Sequence, residues 1–188
     1  VREDYSDEIL EWAQGSRLIV LTAHRRENLG EPMHRMFRAI RRVVEKFPDV
    51  KVVYPVHLNP LVQKAAEEEL GGCDRVRLID PLEVIEFHNL LARSYLILTD
   101  SGGIQEEAPS LGKPVIVLRD TTERPEGIAA GTLKLAGTDE QTIYSLVREL
   151  LTDREEYARM SHASNPYGDG LAGARIAGAI LAWKRGRA

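Results

Sequence analysis

Short β-branched runs alternate with longer amphipathic stretches along the chain, and this alternation restricts the folds that it can adopt. Leu18 to Leu21 is continuously apolar, which is typical of a strand that is buried on both faces. From Met33 to Phe47 the apolar residues recur at the period of an α-helix. Strands that alternate with helices predict βαβ units, and hence an α/β fold with a parallel sheet that helices cover on both faces.

The same patterns predict where the elements begin and end. Strands are predicted at 17–23, 50–56, 76–79, 95–99, 115–118 and 132–135, and helices at 33–47, 61–70, 83–93, 104–111, 140–151, 154–160 and 171–184. The turn-rich segment Asn165-Pro-Tyr-Gly-Asp-Gly170 precedes the last helix. We therefore expect that helix to pack away from the main sheet.

Composition limits the class of protein. The chain has 188 residues, which favours one domain; 43% are hydrophobic, which argues against disorder, and the net charge of −4 argues against a nucleic-acid partner. The single cysteine, Cys73, predicts a reducing compartment without an internal disulfide. With no apolar run near the roughly 20 residues of a membrane helix and no signal peptide, we expect a cytoplasmic protein without a membrane partner. The first residue is Val1, so the chain is either processed or a piece of a longer protein.

In a parallel sheet, ligands bind beyond the carboxyl ends of the strands, so the loops after strands are the candidate sites. Ser101-Gly102-Gly103 joins a predicted strand to a predicted helix. Two glycines let a ligand approach the main chain, and free amides at a helix start favour an anion. The segment is either a phosphate cradle or a tight turn in which Asp100 or Ser101 caps the helix.

Glu106 and Glu107 are expected in the first turn of the predicted helix 104–111. There they either stabilise the helix dipole or face a neutral group such as a ribose. A nucleotide explains the glycines and an acid together better than inorganic phosphate does.

Three further loop residues have two interpretations each. Arg124 presents its guanidinium to an oxyanion or pairs with Glu123 or Asp120. His24 and His57 are either proton-transfer residues at the ends of strands or structural loop residues. In the structural interpretation, His57 caps the helix after Pro60 and Arg25 pairs with Glu27.

Other charged residues need no ligand. Arginines spaced by three and four residues form one face of the helix 33–47, which we interpret as a solvated face paired with nearby acids: Arg35, Arg38, Arg41 and Arg42. His88 and His162 lie in predicted helices and need no function. His and Asp residues are too scattered for a metal site, so we predict no metal.

Five segments together resemble one enzyme family. They are His24-Arg-Arg-Glu-Asn28, Tyr54-Pro-Val-His-Leu-Asn-Pro60, Leu98-Thr-Asp-Ser-Gly-Gly-Ile-Gln-Glu-Glu-Ala-Pro-Ser-Leu-Gly-Lys-Pro114, Arg119-Asp-Thr-Thr-Glu-Arg-Pro-Glu126 and Asn165-Pro-Tyr-Gly-Asp-Gly170. In order, from about Arg17 to Gly178, they resemble the C-terminal half of the non-hydrolysing UDP-N-acetylglucosamine 2-epimerases. The resemblance implies a single Rossmann-like, UDP-binding domain over residues 1–188, with a core at about 17–162 and a crossover helix at about 171–184. That domain is one half of the two-domain glycosyltransferase-B architecture.

The resemblance also implies an activity and its site residues. UDP-N-acetylglucosamine and UDP-N-acetylmannosamine would interconvert by elimination and re-addition of UDP, with no cofactor. Ser101, Gly102 and Gly103 would hold phosphate, Glu107 the ribose, and Arg124 the nucleotide. Leu82, where the family commonly has Gln, and Phe87 would contact uracil. His24 would be catalytic, and Arg25 and His57 would bind a second, activating UDP-N-acetylglucosamine.

The carboxylates that act on the sugar C2 atom come, in that family, from an N-terminal domain outside this sequence. We therefore expect the chain alone to lack epimerase activity, and the whole enzyme to be a homodimer with UDP-N-acetylhexosamines as partners. Two alternatives remain: a UDP-sugar glycosyltransferase of the same architecture, and a stand-alone UDP-binding module.

Overall fold

Six parallel strands form one sheet in a computed structural model that describes residues 7–186. The spatial order is β3-β2-β1-β4-β5-β6, which is the order of the doubly wound Rossmann fold and confirms the predicted fold class. The strands are β1 (Arg17–Thr22), β2 (Val50–Pro55), β3 (Val76–Ile79), β4 (Leu96–Thr99), β5 (Val115–Val117) and β6 (Leu133–Leu135).

Helices connect the strands and cover both faces. They are α1 (Glu8–Ala13), α2 (Glu31–Lys46), α3 (Pro60–Leu70), α4 (Val84–Arg93), α5 (Gly102–Glu107), α6 (Pro125–Ala130), α7 (Glu140–Thr152), α8 (Arg154–Ser161) and α9 (Ala172–Arg185). Short 3-10 turns occupy Arg26–Asn28 and Ala108–Leu111.

Most predicted elements agree with these bounds to within two residues. The helix predicted at 104–111 instead begins at Gly102, ends as an α-helix at Glu107 and continues as a 3-10 turn. Pro109 lies in that turn, and its lack of an N–H group explains the end of the α-helical pattern. Helix α1 was not predicted, although Asp7 caps it by accepting a hydrogen bond from Leu10 N at 2.8 Å.

Alternation along β1 divides the core between the two faces of the sheet. Ile19 and Leu21 pack with residues of α2, α3 and α7, whereas Leu18 and Val20 pack with residues of α1 and α4. All four are at most 3% exposed, and burying a side chain of this size contributes about 1.5–3 kcal/mol to stability. This two-faced burial fixes the sheet and leaves its carboxyl edge open for ligands.

Helix α9 buries none of its residues, as expected of a helix that packs away from the sheet. Its exposed large apolar side chains are Ile176, Ile180, Leu181 and Trp183. Within residues 7–186, no helix has both the length and the hydropathy that crossing a membrane requires.

Candidate functional site

The predicted site residues converge where the strand order reverses, between β1 and β4. His24 and Arg25 follow β1, and Ser101 to Gly103 follow β4. His57 follows the neighbouring strand β2, and Arg124 lies in the loop after β5. The point at which the order reverses is the usual ligand crevice of an open α/β sheet.

Two guanidinium groups approach Gly102 on the side where a side chain would lie. A methyl group added to its Cα atom would be 3.8 Å from Arg25 Nη2 and 3.9 Å from Arg124 Nη2. Gly102 is also the first residue of α5, where a backbone N–H group has no acceptor within the helix. Two cations and unpaired amides around a residue without a side chain form a site suited to a phosphate group.

The capping alternative for this turn is wrong. The Ser101 side chain makes no capping hydrogen bond, and its backbone N–H donates to Thr99 Oγ1 at 2.9 Å. The Asp100 side chain turns away from α5 and accepts hydrogen bonds from the loop after β1.

Arg124 is oriented by a carboxylate other than the two that the sequence suggested. Its Nε atom donates to Glu106 Oε1, and its Nη1 atom donates to the main-chain oxygen of Glu123 at 3.1 Å. The hydrogen bond to Glu106 raises the pKa of Arg124. Pairing with the side chain of Glu123 or Asp120 is therefore not the arrangement observed.

Glu106 and Glu107 lie in the last turn of α5, so the prediction that they occupy its first turn is wrong. Helix α5 begins two residues earlier than the apolar pattern suggests, because Gly102 and Gly103 are themselves helical. Glu107 Oε2 is 2.9 Å from Nε2 of His88 on α4. No role was predicted for His88, and no local pattern in the sequence connects it with Glu107, 19 residues away.

Two cavities adjoin the glycine segment. One, of about 260 Å³, is lined by Leu82 and Phe87, the residues that the resemblance assigns to uracil. The other, of about 530 Å³, is lined by Arg25, Arg26, Glu27 and Asn59. His24, His57 and Ser101 line both cavities.

The two histidines form one stacked pair, with ring centroids 5.6 Å apart and planes inclined by 10°. His57 Nδ1 is 3.1 Å from Asn59 N, a distance at which it accepts a hydrogen bond. Asn59, rather than His57, caps α3 by accepting a hydrogen bond from Leu61 N at 3.0 Å. The capping alternative for His57 is therefore wrong.

Arg119 connects the loops that carry the two site arginines. It is 5% exposed and contacts Glu27 Oε1 at 2.9 Å and Glu123 Oε2 at 2.6 Å. The hydrogen bond from Arg119 lowers the pKa of Glu123 to about 2. Glu27 thus pairs with Arg119 and not with Arg25, whose Nη1 atom lies 4.0 Å from Glu123 Oε1.

The arginines of α2 form the expected paired surface, remote from the site. Arg38 contacts Glu31, Glu69 and Glu140, and Arg42 contacts Glu140. Among residues 7–186, no group of three or more His, Cys, Asp or Glu side chains could hold a metal ion.

Comparison with known proteins identifies a family. A sequence model described as UDP-N-acetylglucosamine 2-epimerase matches residues 1–181. The UDP-N-acetylglucosamine 2-epimerase of Bacillus subtilis is 66% identical over 181 residues, which are 96% of this chain and 48% of that protein. The chain spans about half the length of the curated relatives that it matches.

Solved structures match the fold closely. A Staphylococcus aureus MnaA–UDP co-structure has a TM-score of 0.94 and 51% identity, over 98% of this chain and 51% of that one. The Neisseria meningitidis UDP-GlcNAc 2-epimerase bound to UDP-GlcNAc has a TM-score of 0.85 and 45% identity, over 92% of this chain and 48% of that one. A C-terminal domain of a Francisella tularensis glycosyl transferase group 1 protein has a TM-score of 0.66 over 87% of this chain and 90% of that one. Because the two are only 16% identical, this likeness shows the fold alone.

Proposed function

The chain belongs to the UDP-N-acetylglucosamine 2-epimerase family, and we propose that it is the UDP-binding half of an enzyme that interconverts UDP-N-acetylglucosamine and UDP-N-acetylmannosamine. The observation that carries this proposal is the approach of the Arg25 and Arg124 guanidinium groups to the same side of Gly102. A diphosphate bears the charge that two such cations neutralise, and its oxygens accept hydrogen bonds from main-chain amides.

The surroundings of Gly102 suit the rest of a uridine nucleotide. In this proposal Ser101, Gly102 and Gly103 hold phosphate oxygens, and Glu107 accepts hydrogen bonds from ribose hydroxyls. The adjoining cavity of about 260 Å³ offers the apolar side chains of Leu82 and Phe87 to the base. A carboxylate in the last turn of α5 lies beyond the phosphate cradle, where a neutral sugar is its natural neighbour.

The proposed reaction removes and returns one proton at C2, and it breaks and re-forms one carbon–oxygen bond at C1. A base takes the proton from C2, the bond between C1 and the diphosphate oxygen breaks, and UDP leaves with the bonding electrons, which gives 2-acetamidoglucal. Re-addition of UDP at C1, with a proton delivered to the opposite face of C2, gives the epimer. Because no electron is transferred between molecules, the scheme needs no redox cofactor.

This chain would supply binding and leaving-group stabilisation. Arg25 and Arg124 offset the charge that develops on the departing diphosphate, and His24 lies at the edge of the same crevice. The carboxylates that act at C2 are assigned to an N-terminal half, which would also close the crevice over the sugar. His57 and Arg25 line the larger cavity and would contact the activating UDP-N-acetylglucosamine, so Arg25 would lie between the diphosphates of the two molecules.

We extend the proposal to the setting of the whole enzyme. A homodimer in the cytoplasm, supplying precursors of cell-surface polysaccharides, is what the family resemblance implies. The exposed apolar side chains of α9 support contact with the N-terminal half, toward which the crossover helix would run. Neither a nucleic acid nor a membrane is a proposed partner.

A glycosyltransferase and a stand-alone UDP-binding module are the alternatives. A glycosyltransferase of this architecture would use the same glycines and Glu107, but would transfer the sugar to an acceptor. Formation of UDP-N-acetylmannosamine by the full-length enzyme would reject it, whereas free N-acetylmannosamine and UDP would indicate a hydrolysing relative. An upstream reading frame encoding the N-terminal half would reject the stand-alone module.

Titration calorimetry of the chain with UDP tests the proposal. We expect Glu107→Ala and Arg124→Ala each to weaken UDP binding by about tenfold or more, which corresponds to about 1.4 kcal/mol. Arg42→Ala, on the remote face of α2, is the matched control and should bind UDP as the unmodified chain does. If both site variants also bind UDP normally, the site is misplaced.

A further inference from the structure

Asp100 is a fully buried carboxylate at the end of β4, and it organises the loop that carries His24. Its Oδ2 atom accepts hydrogen bonds from the backbone N–H groups of His24 at 2.9 Å and Arg25 at 2.8 Å. The side-chain amide of Asn28 adds a third hydrogen bond at 3.1 Å. Asp100, which the sequence suggested only as a cap of α5, therefore binds the loop after β1 instead.

The second oxygen of this carboxylate has a different environment. Asp100 Oδ1 is buried, and no group in the described part of the chain makes a well-formed hydrogen bond to it. The Nδ1 atom of His24 lies 3.3 Å away. A buried carboxylate oxygen without a donor is costly, and a small rotation of the imidazole would satisfy it with the Nδ1–H group.

The position of the His24 ring is fixed from several directions. The main chain before it is held by Tyr54, whose hydroxyl donates to Ala23 O at 2.5 Å. One face of the ring stacks on His57. The main-chain oxygen of Asp100 accepts a hydrogen bond from Arg25 Nε at 3.0 Å, which holds the residue after His24 against the end of β4.

We infer that Asp100 is a positioning residue for His24: it holds the proton on Nδ1 and so presents Nε2 to the ligand crevice. A carboxylate that orients an imidazole and selects its tautomer also stabilises the imidazolium that forms when Nε2 takes a proton. The charged and titratable groups around this ring are Asp100, Arg25 and His57, with Arg26 and Glu27 on the wall of the larger cavity. The inference rests on the proposed function only for the identity of the ligand that Nε2 faces.

Nitrogen-15 NMR of the imidazoles tests this inference on the chain itself. At alkaline pH, where imidazole rings are neutral, we expect the Nδ1–H tautomer of His24 to exceed the other by about tenfold or more, as for a hydrogen bond to a charged group. In Asp100→Asn the new amide N–H group would donate a hydrogen bond to Nδ1 of His24. The Nε2–H tautomer should therefore replace the Nδ1–H tautomer in this variant. An Nε2–H tautomer in the unmodified chain would overturn the inference, and this measurement decides the matter even if the variant fails to fold.

Asn28→Ala is the control for a merely structural role. It removes one hydrogen bond to Oδ2 and leaves Oδ1 facing His24, so the Nδ1–H tautomer should persist. If Asn28→Ala changes the tautomer as much as Asp100→Asn does, Asp100 only anchors the loop and the inference fails. Calorimetry with UDP is a separate measurement: lack of binding with the Nδ1–H tautomer present would reject the proposed function alone.

Discussion

The imidazole rings of His24 and His57 stack with their centroids 5.6 Å apart, so loops from two adjacent strands meet in a single aromatic pair. Each ring lines both cavities beside the glycine segment. The resemblance assigns one histidine to the reacting nucleotide sugar and the other to the activating one. In this geometry the two proposed sites share a wall, and coupling between them needs no pathway longer than one ring contact.

Replacing Gly102 with alanine should weaken UDP binding without lowering the stability of the fold. Its backbone has no positive φ angle, and the added methyl group would keep ordinary contact distances of 3.8 and 3.9 Å to the two guanidinium groups. The variant should unfold at the same temperature as the unmodified chain or slightly above it, because alanine restricts the unfolded chain. The methyl group would occupy the proposed phosphate position, so UDP affinity measured by calorimetry should fall by about tenfold or more.

Gly178→Ala in α9 is the matched control for that variant. It also replaces a helical glycine, and a methyl group there would meet no atom within 4 Å. Its UDP affinity should equal that of the unmodified chain. Equal UDP affinity in Gly102→Ala would show that phosphate does not approach this main chain.

Removing the His88 imidazole should weaken UDP binding through Glu107. The contact of 2.9 Å between His88 Nε2 and Glu107 Oε2 holds the carboxylate that we assign to the ribose. We expect His88→Ala to lower UDP affinity by a smaller factor than Glu107→Ala, because the carboxylate remains present. His162→Ala, an exposed histidine after α8, is the control for loss of an imidazole. Undiminished binding in His88→Ala would mean that the contact between His88 and Glu107 has no part in UDP recognition.

The strands and helices of the sheet were predicted well because the sequence patterns that mark them are local. A buried parallel strand such as Leu18 to Leu21 shows a continuous apolar run, and α2 shows a helical period, whatever their neighbours are. Helix α1 was missed because it is a short segment of six residues before the first strand, and its capping residue Asp7 was not recognised as a start signal.

The partners of the site residues were predicted less well, because these contacts join distant parts of the chain. The sequence placed His24, Ser101 and Arg124 at one edge, but the carboxylates that it suggested as alternative partners for Arg124 were neighbours in sequence. Its actual partner, Glu106, lies 18 residues away, and Arg119 reaches Glu27 across 92 residues. Such pairings depend on which strands lie side by side, and the alternation of elements does not determine that order.

The ion pairs of Glu156, one of which joins β6 to α8, should make stability depend on pH. Glu156 Oε1 lies 2.6 Å from both Arg159 Nη2 and Lys134 Nζ, and the hydrogen bonds from Arg159 and Lys134 lower the pKa of Glu156 from 4.5 to about 2. A depressed pKa gives stability that is present above the unfolded value and is lost as pH falls toward the folded one. Glu156→Gln should therefore lower the melting temperature at pH 7, and the difference should shrink between about pH 4.5 and about pH 2.

Glu155→Gln is the control, since Glu155 is the neighbouring exposed acid in the first turn of the same helix. Its melting temperature should follow that of the unmodified chain at every pH. A difference for Glu156→Gln that stays constant from pH 7 to pH 2 would contradict the assignment of this stability to the carboxylate.

The chain alone should not epimerise UDP-N-acetylglucosamine. Removal of the weakly acidic C2 proton requires a positioned base, and we assign the carboxylates that act at C2 to the N-terminal half. Nuclear magnetic resonance of UDP-N-acetylglucosamine incubated with the pure chain should show no manno epimer, with the Bacillus subtilis enzyme as the positive control. Turnover by the chain would place a C2 base among its own residues.

The last prediction concerns activation by UDP-N-acetylglucosamine in a full-length enzyme that contains this chain. His57→Phe would keep an aromatic ring against His24 while removing the two nitrogens that can contact a diphosphate. We expect the variant to retain the UDP affinity of the unmodified protein but to respond less to a trace of the gluco epimer when UDP-N-acetylmannosamine is the substrate. Allosteric coupling is usually worth about 1–3 kcal/mol, so the lost activation should be about 5- to 150-fold. Activation that survives in His57→Phe would return His57 to a structural role, in which it accepts a hydrogen bond from Asn59 N.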